Sequence, residues 1–140
     1  MPKINNYRIF ISHAWKYGES YNNLVNLLNN APYFSYYNYS APQERPLNPD
    51  GRILSKSEIK EKIRNKIALS QVVIVIAGMY YNYREWMEFE VSEAVRMGKP
   101  IISVKPRGAV VMPNFLELFS DRVVNWNTDS IVSAIKEVAK

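Results

Sequence analysis

At 140 residues, 47% hydrophobic and 22% charged, the chain has the size and balance of one ordinary globular domain with a buried core. Zero cysteines exclude a disulfide framework and thiolate chemistry, and a single histidine excludes a histidine-rich metal site, so no metal is expected. A net charge of +5 and a pI near 9.4 would permit polyanion binding, but the one dense basic group (Lys56, Lys60, Lys62, Arg64, Lys66) is interrupted by Glu58 and Glu61, as on a solvated helix face.

No nucleic-acid motif accompanies the charge, and a negatively charged dinucleotide suits it at least as well. No apolar run approaches the ~20 residues of a membrane helix, and the opening MPKINNYRIF lacks a signal h-region. Cytoplasm is the expected compartment, with no membrane partner.

In chain order, Tyr7 to Ser12 (YRIFIS) reads as a first strand ending in the polar and aromatic Ser12-His13-Ala14-Trp15. Tyr21 to Asn30 is a short amphipathic helix stopped by Asn29-Asn30-Ala31-Pro32. Tyr33 to Tyr39 is an aromatic strand whose Ser35 and Asn38 suit a sheet edge. Ser40 to Ser55, with three prolines, Asn48-Pro49 and Asp50-Gly51, is a loop long enough to suggest function. Ser55-Lys56-Ser57-Glu58 fits a capping box, and Ile59, Ile63 and Ile67 give the helix after it one narrow core stripe.

The central unit runs from Gln71 to Pro106. Val72 to Ala77 is β-branched and unbroken, the signature of a strand covered on both faces. Arg84 to Gly98 has helical spacing closed by Gly98-Lys99-Pro100, and Ile101 to Val104 is a second buried strand. Beyond it lie a loop from Arg107 to Asn114, a helical turn over Phe115 to Phe119 and a short strand, Arg122 to Val124. A final helix follows, with Asn127, Thr128 or Asp129 as its N-cap and Ile131, Val132, Ile135 and Val138 on one side.

This alternation predicts a flavodoxin-like, doubly wound α/β domain over residues 1–140, with a five-stranded parallel sheet in the order 2-1-3-4-5. Ligands of such sheets bind outside the carboxyl ends of strands 1 and 3. Ser12 to Trp15, the Gly78 to Arg84 segment and the long loop after strand 2 are expected there, which makes Ser12, His13, Trp15, Gly78 and Tyr83 candidate substrate-binding positions.

The helix after strand 3 carries the most informative residue. At about 100° per residue, with Trp86 as zero, Glu90 falls at about 40°, between Trp86 and Ala94 at about 80°, while Met87 and Val91 complete the apolar arc. Glu88 and Glu93 fall outside that arc, where solvent is expected. A carboxylate on a core-facing stripe costs several kcal/mol unless paired, hydrogen-bonded or protonated. Glu90 is therefore either a chemical group or a structural one that caps a loop or pairs with Arg84 or Lys105.

There is no G-x-G-x-x-G, Walker A or G-x-S-x-G sequence, and strand ends of Ser-His and Ala-Gly lack the acidic cluster of a phosphoryl-receiving domain. His13 fits a strand-end hydrogen bond as well as an acid/base role. Trp15, Tyr80, Tyr81, Tyr83 and Trp86 offer flat surfaces for packing or for stacking a base. One partly buried carboxylate beside aromatic walls is equipment for cleaving an N-glycosidic bond, whose transition state is oxocarbenium-like.

FISHAW (Phe10 to Trp15), YYNYSAP (Tyr36 to Pro42), VVIVIAGMYYNYREWMEFE (Val72 to Glu90), GKPIISVKP (Gly98 to Pro106) and VVNWNTDSIVSAI (Val123 to Ile135) together resemble the bacterial TIR-like domain family that includes the TIR-like component of the Thoeris anti-phage system. The resemblance spans nearly the whole chain. It implies a TIR fold in which Trp86 and Glu90 match the family's W-x-x-x-E spacing. Glu90 would then be the catalytic residue in cleaving NAD⁺, a substrate and not a cofactor. Ser12, His13 and Trp15 would line the nucleotide, Trp86 would wall the pocket, and the Ser40 to Ser55 loop would gate it or mediate TIR–TIR self-association. The product would be an ADP-ribose-type signal, linear or cyclised, read by a separate effector protein. Two other classes stay open: a non-catalytic assembly or nucleotide-binding module, and an enzyme similar to nucleoside deoxyribosyltransferases.

Overall fold

The computed structural model describes residues 6–12, 19–39, 55–80, 84–105 and 111–139. His13, Trp15, Tyr81 and Tyr83 lie outside them, as does nearly all of the Ser40 to Ser55 loop.

Strands β1 (Asn6–Ile11), β2 (Ser35–Asn38), β3 (Val72–Ile76), β4 (Ile101–Val104) and β5 (Arg122–Val124) form one sheet ordered β2-β1-β3-β4-β5. Every pairing is parallel. Helices α1 (Glu19–Asn29), α2 (Lys56–Leu69), α3 (Arg84–Arg96), α4 (Asn114–Phe119) and α5 (Thr128–Val138) are interleaved. This is the doubly wound architecture read from the sequence, with the aromatic β2 at an edge.

Strand alternation separates the two faces. Ile9, Ile11, Val72, Ile74, Ile76, Ile102 and Val104 pack under Leu24, Leu28, Ile131 and Ile135 of α1 and α5. Phe10, Val73, Val75 and Ile101 pack under Ile63, Ile67, Met87, Val91, Ala94 and Leu116 of α2, α3 and α4. All five residues of β3 are buried, because helices cover both of its faces.

The caps explain the element ends. Ser55 accepts a hydrogen bond from the Glu58 amide while the Glu58 carboxylate reaches back to the Ser55 amide, completing the capping box. Asn127 caps α5 through the Ser130 amide. Helix α3 stops at Arg96, two residues before the expected Gly98, because the last turn is a Schellman motif. In it the Lys99 amide donates to the Ala94 carbonyl and the Gly98 amide to the Val95 carbonyl, with Gly98 left-handed at φ 70°. Strand β3 likewise ends one residue early, and Ala77–Met79 forms a 3₁₀ turn.

Candidate active site

Strand parity delivers the first site residue. Phe10 faces the α2/α3 layer, so Ser12, two residues on, points the same way at the carboxyl end of β1. Its amide donates to the Ile74 carbonyl at 2.8 Å, which carries the β1–β3 ladder one residue beyond the strand and fixes the Ser12 backbone.

Helix geometry delivers the second. Glu90 lies among Met87, Val91 and Ala94, each fully buried, and is itself 0% exposed. The Ser12 hydroxyl, 1% exposed, donates to Glu90 Oε1 at 2.7 Å. Two residues 78 positions apart in sequence thus meet in the interior, at the end of the sheet where such folds take their ligands. A hydrogen bond of this length offsets part of the cost of burying the Glu90 carboxyl group. Of the alternative partners named for Glu90, Arg84 is engaged with Glu88 (Nε to Oε2, 3.2 Å) and Lys105 is exposed.

The other α3 carboxylates do different work. Glu93, expected in solvent, is nine-tenths buried between Arg64 Nε at 2.7 Å and Arg96 Nε at 2.6 Å. It was missed because α3 packs against α2 as well as the sheet, so a wheel with one apolar face leaves out the α2-facing side. Hydrogen bonding to Arg64 chiefly holds its carboxyl below the ordinary glutamate value; burial opposes this and Arg96 adds to it. Glu88, also expected in solvent, is only partly exposed and accepts a bond from the Tyr80 hydroxyl, which chiefly lowers its pKa. Burial first, and then this bond, pushes the Tyr80 phenol up.

The aromatic candidates sort by contact. Tyr80 is buried and stacked on Phe115 with ring centroids 6.0 Å apart, so its ring serves packing. Trp86, half-buried one turn before Glu90, stands perpendicular to the Phe89 ring and has Lys56 Nζ 5.9 Å from its ring centroid. Gly78 lies exposed in the 3₁₀ turn at the carboxyl end of β3. Ser12 and Glu90 are therefore joined directly, Trp86 flanks them along the helix, and Gly78 marks the rim of the same sheet end.

Three of the five α2 cations have partners nearby. Lys56 pairs with Glu85, Arg64 with Glu93 and Glu61, and Lys60 lies 5.1 Å from the Phe89 ring centroid. Lys56, Lys60 and Arg64 thus tie α2 to Glu85, Phe89 and Glu93 of α3. A cleft of about 620 Å³ lies at the other end of the sheet, bordered by Gly98, Lys99, Ile101 and Asp121. Its charged groups are used internally: Asp121 accepts from the Ile101 amide and Lys99 donates to the Ala68 carbonyl. It is remote from the chemistry available at Glu90.

No helix among the described residues is long and apolar enough to cross a membrane. The chain matches, over residues 10–110, the family model described as Thoeris protein ThsB, TIR-like domain. The matched stretch begins in β1 and contains Ser12, Gly78, Trp86 and Glu90. No curated protein matches the chain.

Proposed function

The chain belongs to the Thoeris ThsB TIR-like domain family, and from that premise we propose that it cleaves the nicotinamide–ribose bond of NAD⁺ in anti-phage defence. The observation that carries this reading is the burial of Glu90 at the carboxyl end of the sheet, hydrogen-bonded to Ser12.

The chemistry asks little of the protein. When the bond between ribose C1′ and the pyridinium nitrogen breaks, both electrons leave with nicotinamide, which becomes neutral, and C1′ takes on oxocarbenium character. A fixed carboxylate beside the ribose stabilises that charge or holds the ribose hydroxyls, and no acid is needed for the leaving group. Water captures C1′ and releases a proton to give ADP-ribose, or a nucleophile within the same molecule closes a ring. Trp86 packs α3 and flanks the ribose, and a separate effector reads the product.

The test is nicotinamide release from NAD⁺ by the purified chain over a range of protein concentrations, beside Glu90→Ala. Turnover by the parent and none by the folded variant supports the reading. Equal turnover by the two removes Glu90 from the chemistry.

A further inference from the structure

We infer that Ser12 is a positioning residue that acts through Glu90, and not a contact for the nucleotide. The inference rests on the reading of Glu90 above.

Three features support it. The Ser12 hydroxyl has one proton, and at 2.7 Å from Oε1 that proton is committed to Glu90. Both residues are sealed from solvent, at 1% and 0% exposure, so water does not substitute readily for the bond. The Ser12 backbone is held by the Ile74 carbonyl, so the hydroxyl is a fixed point on the sheet and not a mobile surface group.

A carboxylate on a helix can rotate about its last side-chain bond, a broad two-fold torsion with little intrinsic preference. Pinning Oε1 to a fixed donor restricts that rotation and so contributes to where Oε2 stands. The same bond links α3 to β1, two elements from distant parts of the chain, at the one place where the reacting sugar must be oriented. Around metal ligands, partners that orient the ligating group matter about 10- to 100-fold, and a misplacement of about 1 Å at a reacting centre costs up to about 100-fold. Serine is small enough for this space at the strand end. Cysteine, nearly the same shape but a weaker donor, should keep only part of the effect.

The experiment uses the full chain. Ser12→Ala should lower kcat about 10- to 100-fold with KM for NAD⁺ within about threefold of the parent, and Ser12→Cys should fall between. In a Glu90→Gln background, adding Ser12→Ala should leave the Kd for NAD⁺ by calorimetry unchanged, since the residue it acts through is already altered. A Kd weakened tenfold in that background would make Ser12 a nucleotide contact and overturn the inference. A crystal structure of Ser12→Ala supplies a readout independent of turnover. A displaced Glu90 carboxylate supports positioning, and an unmoved one refutes it. If Glu90→Gln cleaves NAD⁺ like the parent, the reading of Glu90 itself fails; if Glu90→Gln is inactive while Ser12→Ala keeps the parent kcat, only the role of Ser12 fails.

Discussion

Helix α3 buries two glutamates three residues apart and treats them differently. At the α2 corner Glu93 is answered by two guanidinium groups, while at the β1 corner Glu90 meets the hydroxyl of Ser12. Burial alone therefore does not mark a functional carboxylate. A carboxylate bracketed by Arg64 and Arg96 has its charge neutralised and its oxygens occupied by the fold. One held by a hydroxyl on a strand end lies at the carboxyl end of the sheet, where doubly wound folds take their ligands. The first arrangement serves stability, and the second is the one proposed above for chemistry.

Exchanging each acid for its amide separates the two roles. The largest effect is expected from Glu90→Gln, with NAD⁺ cleavage down at least ~100-fold and stability within about 1 kcal/mol of the parent. Nicotinamide release and chemical denaturation would check the two halves. Glu93→Gln should do the reverse, costing about 2 kcal/mol while turnover per folded molecule stays within a few-fold. That figure allows for solvent screening, because Arg64 and Arg96 are 40% and 63% exposed.

Acid sharpens the same contrast. Because the folded-state pKa of Glu93 is lowered, its contribution is fully present above the ordinary value of 4.5 and is lost as pH falls through the lower folded value. Urea midpoints measured from pH 6 down to pH 3 should fall less steeply for Glu93→Gln than for the parent. Equal slopes would show that the ion pair has no part in acid stability.

Smaller effects come from the frame around the pair. Ser55→Ala breaks the α2 capping box and should cost about 1 kcal/mol with activity retained. Lys56→Ala removes an exposed pair with Glu85 and a contact over Trp86, and its melting curve should nearly overlay that of the parent.

The legible parts of the sequence were those governed by one repeating rule. Unbroken β-branched runs at Val72 and Ile101 marked covered strands, and the flavodoxin-like order followed from right-handed crossovers. The wheel placed Glu90 inside because its neighbours on that face are uniformly apolar. It misplaced Glu93 because α3 has two packed sides, and the second is lined by Phe89 and charged residues that carry no hydropathy signal. The Ser12–Glu90 bond could be found only by combining strand parity from Phe10 with helical phase at Glu90, two periodicities that meet in the assembled sheet. The Tyr80–Glu88 bond gave no such signal, since it bridges the 3₁₀ turn and the helix across eight residues.

An all-parallel sheet also has a kinetic consequence. Without hairpins, each pairing waits for a crossover to close, so native contact order is high and folding is slow for a chain of this size. The hydroxyl follows β1 and the carboxylate lies on the helix after β3, so their meeting waits for the β1–β3 pairing to close. A nascent or partly unfolded chain would lack the preassembled Ser12–Glu90 pair. Enzymatic competence would then emerge together with the finished sheet, and stray NAD⁺ consumption by immature molecules would be averted by topology itself.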